Sequence, residues 1–388
     1  MKKQLEKNIL YYYLYSATWV LMIGPILTVF LLEKGLTFSQ IMLLQTISSI
    51  ATVVTEVPSG AVADLYGRKF SMFLSSLSLI VALLIFVFAP NYFFLVLAEA
   101  FAGMGMSFKS GADSSLVYDT LLKLDREKDY LRVQSRGHSY FLGTQIIGSA
   151  LAGVLYSMHI NYPFYGSVLL LIFSAFFATR IVEVPVFNTT EKPPYLTQII
   201  HSGQFTFTHP KVRVILIFYV FFYTFYRIGF WYYQPYFKGV SIDVAYFGVI
   251  FALFNIIATL SSRYADKFLK ITKGFSLIAL AFLMALSFIT LGLTPHWLGV
   301  TFIGLQQIAR GVQNPVFLKY VNKQIPSHQR ATIISFNSLM GNLTAALTFP
   351  IVGILMDQMD IFNLHLLTGI LMLAGSIYFY FYLKKQFV

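Results

Sequence analysis

Six ionisable side chains stand inside stretches of this 388-residue chain that are otherwise apolar: Glu56, Glu99, Lys109, Asp113, Arg227 and Arg310. Taking such a group out of water costs about 2.5–3.5 kcal/mol on insertion scales unless it faces a cavity or a partner, so each one marks a place where chemistry or pairing is required. Their formal charges cancel. Lys109 and Asp113 are four residues apart, the spacing of neighbours on one helix face, and are expected to pair with each other. Glu99 lies among Ala98, Ala100, Phe101 and Ala102. A carboxyl in such surroundings is suited to taking up and releasing a proton, whereas a bridge to Arg227 or Arg310 would hold it ionised. Glu56 stands two residues before Pro58, where a local link and a cavity role are both open.

A second constellation is aromatic. Tyr219, Tyr223, Tyr226 and Arg227 recur at steps of three and four, so one helical face carries hydroxyls and a cation. Such a face suits a cavity better than lipid. Its rings with a buried glutamate would hold lipophilic cations, while Arg227 and Arg310 would favour an anion. Nearby Trp231, Tyr232 and Tyr233 fit an interfacial belt.

The elements that must position these residues are membrane helices. With 57% hydrophobic and 11% charged residues and a mean hydropathy of +0.69, the chain cannot hide its apolar surface within a water-soluble globule. Apolar runs fall at roughly 8–32, 38–62, 70–89, 92–117, 138–158 and 162–182, then at 212–237, 243–262, 274–294, 296–318, 331–356 and 361–383. Glu191-Lys192-Pro193-Pro194 breaks the chain between the two sets. The expected fold class is therefore an all-α integral membrane protein of twelve transmembrane helices, with residues 1–182 and 211–388 as two six-helix halves and 183–210 as a cytoplasmic linker. With both termini placed in the cytoplasm, only Lys34 and Lys238 fall outside and all the other loop Lys and Arg fall inside, as the positive-inside rule requires. The net charge of +12 thus reads as orientation rather than as affinity for nucleic acid. The apolar run near the N-terminus is too long, and lacks the cleavage site, for a removed signal.

One polar turn between the second and third runs has a pattern of its own. Gly60-Ala61-Val62-Ala63-Asp64-Leu65-Tyr66-Gly67-Arg68-Lys69 reads G-x-x-x-D-x-x-G-R-K and resembles the loop signature of major facilitator superfamily (MFS) transporters, in particular bacterial drug and metabolite efflux members. Ala265-Asp266-Lys267-Phe268-Leu269-Lys270 echoes it half a chain later, as two pseudo-symmetric halves would. Gly60 is expected to let helices approach closely and Gly67 to permit a tight turn. The resemblance implies a conformational latch: Asp64 against the start of the eleventh helix near Ala331–Ser335, Arg68 paired with Asp119, and Asp266 facing the fifth helix near Gly137–Tyr140, with Lys69 completing the basic loop.

Elsewhere the chain departs from that family's patterns. The arginine of a fourth-helix R-x-x-x-G-x-G pattern is replaced by Glu99, ahead of Gly103 and Gly105. An antiporter-like G-P-x-x-G-G falls on Gly148-Ser149-Ala150-Leu151-Ala152-Gly153 without its proline, leaving Gly148 with Ala152 and Ser149 with Gly153 as a small-residue packing face. No catalytic motif, nucleotide loop or metal-ligand spacing is present, and the absence of cysteine removes thiolate chemistry, so no enzyme activity and no cofactor or metal is expected. Three functions follow: proton-coupled efflux of a small hydrophobic or cationic compound, movement of an anionic nutrient or lipid-like substrate, and a non-transporting sensor of the same fold. The expected setting is a bacterial-type inner (plasma) membrane, with a lipid bilayer, a small-molecule substrate and H+ as partners of a monomer.

Overall fold

The computed structural model describes residues 2–184, 195–324 and 330–387, so Glu191-Lys192-Pro193-Pro194 lies outside the described residues. Among the described residues sixteen α-helices follow in order: α1 (Lys2–Thr18), α2 (Leu27–Glu33), α3 (Phe38–Tyr66), α4 (Arg68–Phe88), α5 (Tyr92–Lys109), α6 (Ala112–Lys123), α7 (Tyr130–Met158) and α8 (Tyr162–Arg180). They continue as α9 (Tyr195–Thr208), α10 (Pro210–Gly239), α11 (Val244–Arg263), α12 (Ala265–Thr272), α13 (Ser276–Leu293), α14 (Val300–Gln324), α15 (Arg330–Gln358) and α16 (Ile361–Phe387). No strand occurs among the described residues. In lipid only such a structure, or a closed barrel, satisfies its own backbone.

Ten helical stretches among the described residues are long and apolar enough to cross a membrane. The expected spans at 8–32 and 296–318 are not among them. The first is broken: α1 ends at Thr18 and α2 begins at Leu27, with Gly24 and Pro25 between, where proline lacks the N–H a helix needs and pushes its predecessor out of helical geometry. The second, α14, is continuous but carries Gln306, Gln307, Arg310, Gln313 and Asn314. The stretch from 195 onward, expected as linker, is the helix α9.

Two compact units emerge, Met1–Leu27 with Leu44–Lys192 and Thr28–Leu43 with Pro193–Val388. In the first, α5 packs closely because it has glycine where a side chain would collide: a Cβ on Gly103 would overlap the Ser48 carbonyl and Ala51 of α3, and one on Gly105 would overlap Leu79 of α4. Gly148, Ser149, Ala152 and Gly153 are buried on α7, and a Cβ on Gly148 would press on Met22 and Val20 in the break between α1 and α2. On α8, Leu169, Ile172 and Phe176 form an exposed apolar stripe of the kind lipid covers. α5 and α6 are separate helices, divided at Ser110 and Gly111, whose φ is +77°. Lys109 and Asp113 therefore lie across a break rather than on one continuous helix face, although they still pair, Nζ to Oδ2 at 2.5 Å.

The second unit has its core where Val212, Ile215 and Leu216 of α10 meet Phe317 and Val321 of α14 and Ile333 of α15. Residues 28–43 join this unit through specific bonds. The Asp357 carboxylate at the end of α15 accepts the N–H groups of Phe38 at 2.8 Å and Ser39 at 3.0 Å, satisfying free donors at the start of α3. Gly353, one turn earlier, leaves room for Ser39 and Met42. Gln234 of α10 accepts the Val29 N–H at 3.1 Å.

Candidate functional site

The signature turn is built almost wholly from helix. α3 continues through Asp64 to Tyr66, the chain reverses at Gly67, and α4 starts at Arg68. Gly67 has φ 97° and ψ 154°, a region that only glycine enters readily. The free N–H groups of Arg68 and Lys69 point at the Glu183 carboxylate, 2.9 Å from each oxygen. An anion on a helix start also meets the positive end of its dipole. A Cβ on Gly67 would lie 2.7 Å from Glu183 Cδ, so the glycine is required by the space as well as by the angle. Gly67→Ala is accordingly expected to cost about 1–3 kcal/mol from the backbone alone and to dislodge Glu183; thermal unfolding of the purified protein should show the loss, and an unchanged melting temperature would disprove this account.

Arg68 and Asp119 form an ion pair, each side chain 17% exposed. The structure thus brings these two residues together. Asp64 is exposed at the end of α3, and Asp266 is exposed in the first turn of α12. Gly60 is exposed, and among the described residues nothing lies within 4 Å of where its Cβ would be. The side chains at 331, 332, 334 and 335 lie outside the described residues. Glu183 escaped the sequence reading because it was assigned to the linker; the signal for it was an acidic residue directly following the sixth apolar run.

Glu99 is 4% exposed, inside the first unit. Gln45 Nε2 donates to its Oε1 at 2.6 Å and the Ser48 hydroxyl also bonds it, both from α3. Gly103, one turn along α5, closes the helix against α3 and shields this pair. These partners are neutral dipoles, and no ion pair to Glu99 occurs among the described residues. Its change of charge on gaining or losing a proton is therefore not matched by a fixed cation, leaving a proton or a cationic ligand as the available counter-charge. Glu56 is half-buried in α3 beside Pro58.

In the second unit the aromatic face is assembled as its spacing predicts. Tyr219 and Tyr223 stack with ring centres 5.8 Å apart, and Tyr226 follows at 6.3 Å from Tyr223. Arg227 sits over Phe349 at 5.0 Å and Tyr223 at 5.9 Å, and donates to Asn342 Oδ1 at 3.1 Å. Arg310 lies 5.9 Å from the Tyr226 ring centre and donates to Gln307 and Asn255, each at 3.1 Å. Tyr233 completes the network, donating to Gln306 Oε1 at 2.8 Å and accepting from Gln307 Nε2 at 3.0 Å. Gln306 is fully buried, and its Nε2 has no protein partner among the described residues. Sequence reasoning missed Gln306, Gln307, Asn255 and Asn342 because it weighed charged and aromatic side chains within the spans and passed over neutral amides. Adjacent glutamines within a membrane segment were the available signal. Among the described residues no cluster of His, Asp and Glu could hold a metal ion.

Long apolar helices enclosing a carboxyl, two amide-held arginines and a tyrosine face define a multi-span helical membrane protein with polar groups buried inside each unit. The chain belongs to the Major Facilitator Superfamily, whose family model matches residues 9–305 and 275–386. It is 26% identical over 363 residues to the uncharacterized MFS-type transporter YxaM of Bacillus subtilis (strain 168), covering 89% of this chain and 88% of that one. It is 23% identical over 349 residues to the quinolone resistance protein NorA of Staphylococcus aureus (strain COL), covering 84% of this chain and 85% of NorA. The fold matches a crystal structure of the nucleoside transporter NupG, with a TM-score of 0.79 at 15% identity over 99% of both chains. It also matches a bacterial homologue of the human lysosomal transporter Spinster, with a TM-score of 0.75 at 13% identity over 99% of this chain and 97% of that one.

Proposed function

We propose that this protein is a secondary active transporter of a bacterial-type inner membrane, working by alternating access and exporting a small hydrophobic or cationic compound in exchange for protons. The observation that carries the reading is Glu99, a buried carboxyl with only amide and hydroxyl partners, which is placed to take up and release the coupled proton. The likeness to a quinolone resistance protein supports export, since removal of a toxic compound confers resistance. In this reading the broken α1–α2 segment and the polar α14 join the ten apolar helices as membrane spans, giving two six-helix halves with both termini in the cytoplasm. Proline and polar groups within a span are tolerated where they line a cavity. Asp64, Arg68, Asp119 and Asp266 act as the latch of one end state, and the protein works as a monomer. A second reading, transport of an anion, draws on Arg310, whose guanidinium is held by the amide oxygens of Gln307 and Asn255 and by no carboxylate among the described residues.

The test is accumulation of a fluorescent lipophilic cation in efflux-deficient cells expressing the protein. Reduced accumulation, abolished by a protonophore, is the expected result. Accumulation equal to that in empty cells, with the protein present in the membrane, would overturn cation export and leave the anion reading.

A further inference from the structure

Within the first unit, a cleft of about 370 Å³ opens between α1, the α5–α6 break and α7. Its walls are rings: Tyr12, Trp19, His138 and Phe141. His138 stacks on Phe141 with centres 6.0 Å apart, and Trp19 stands 6.2 Å from Phe141. Tyr12 is drawn in by a hydrogen bond from its hydroxyl to Gln134, 2.5 Å long, and by Gly137, where any Cβ would overlap its ring. Walls of this kind accept a flat, largely apolar body.

The polar end of the cleft is the Lys109–Asp113 pair. Lys109 Nζ lies 4.9 Å over the Trp19 ring, while Asp113 spends its second oxygen on the Ser114 N–H at 2.6 Å. The two side chains are 26% and 14% exposed, so each depends on the other for its counter-charge. A ligand carrying only a cation would compete for Asp113 and strand Lys109; one carrying only an anion would do the reverse. A ligand head holding both charges close together pairs with both residues and strands neither.

We propose that this cleft is a binding site for aromatic compounds bearing a compact zwitterionic head, an ammonium and a carboxylate of the α-amino-acid type. The carboxylate pairs with Lys109, the ammonium with Asp113, and the ring enters between Trp19, Phe141 and Tyr12. The assignment adds a ligand class to the hydrophobic or cationic compounds of the proposed transporter; its part in transport rests on that reading, and binding at the cleft does not.

Calorimetric titration of the full chain in lipid nanodiscs, with no gradient, tests the site separately from transport. Four indoles share one ring and differ in charge: tryptophan is zwitterionic, tryptamine cationic, indole-3-propionate anionic and indole neutral. The zwitterion is expected to bind at least ~10-fold more tightly than either singly charged analogue, which corresponds to 1.4 kcal/mol. Lys109→Met should invert the order in favour of tryptamine, and Asp113→Asn in favour of indole-3-propionate, a shift that mere loss of packing would not produce. Tryptamine or indole binding as tightly as tryptophan, or an order unchanged in both variants, would overturn the proposal. If a variant is not monodisperse, the order measured on the native chain decides alone. Zwitterion binding without cellular export of any compound would leave the site standing and remove the transport reading.

Discussion

Arg68→Met is expected to destabilise the protein by about 3–5 kcal/mol, and Asp119→Leu by clearly less. The asymmetry follows from what each partner would be left with. Asp119 has Arg68 as its only ion-pair partner among the described residues, so losing the guanidinium strands a carboxylate at a site 17% exposed. Arg68 also feels the negative charges of Glu183 and Asp64, which remain when Asp119 is removed. Exchanging the pair, Arg68→Asp with Asp119→Arg, should not restore stability, because the new aspartate would stand beside Glu183. Melting temperatures of the variants in one detergent give the ranking. Equal losses, or rescue by the exchange, would show that the pair acts alone and that Glu183 has no share in it.

Glu99→Gln should separate two kinds of transport. The amide matches the carboxyl in shape and can still bond Gln45 and Ser48, so folding should change by no more than about 1 kcal/mol. Exchange of labelled for unlabelled substrate across proteoliposomes needs no net proton movement and is expected to persist. Accumulation driven by an imposed pH gradient should vanish. Gradient-driven accumulation that survives in the variant would assign the proton to another group, and loss of exchange as well would make Glu99 part of the substrate site instead.

Much of the architecture was legible because hydropathy and loop charge report directly on lipid and water. Helix breaks were not, since a window of twenty residues averages over Gly24-Pro25 and over Ser110-Gly111 without registering either. The pairing of Arg68 with Asp119 was expected only through the family resemblance, because nothing local links positions 51 residues apart. The tyrosine face came from spacing alone. Glu183 and the Gln306–Gln307 pair were lost for opposite reasons: one was charged but assigned to a loop, the others lay inside a span but were neutral.

Gly353-Ile354-Leu355-Met356-Asp357 has the same glycine-to-aspartate spacing as Gly60-Ala61-Val62-Ala63-Asp64, and here the carboxylate does rest on the start of a helix. The receiving half of that joint is peptide N–H, which every residue but proline provides. Replacing the side chains of Phe38 or Ser39 leaves the donors in place, whereas replacing Asp357 removes both bonds at once. A joint of this kind tolerates drift on one side and almost none on the other, so a search for its counterparts should follow the glycine and the acid and disregard the sequence that they hold.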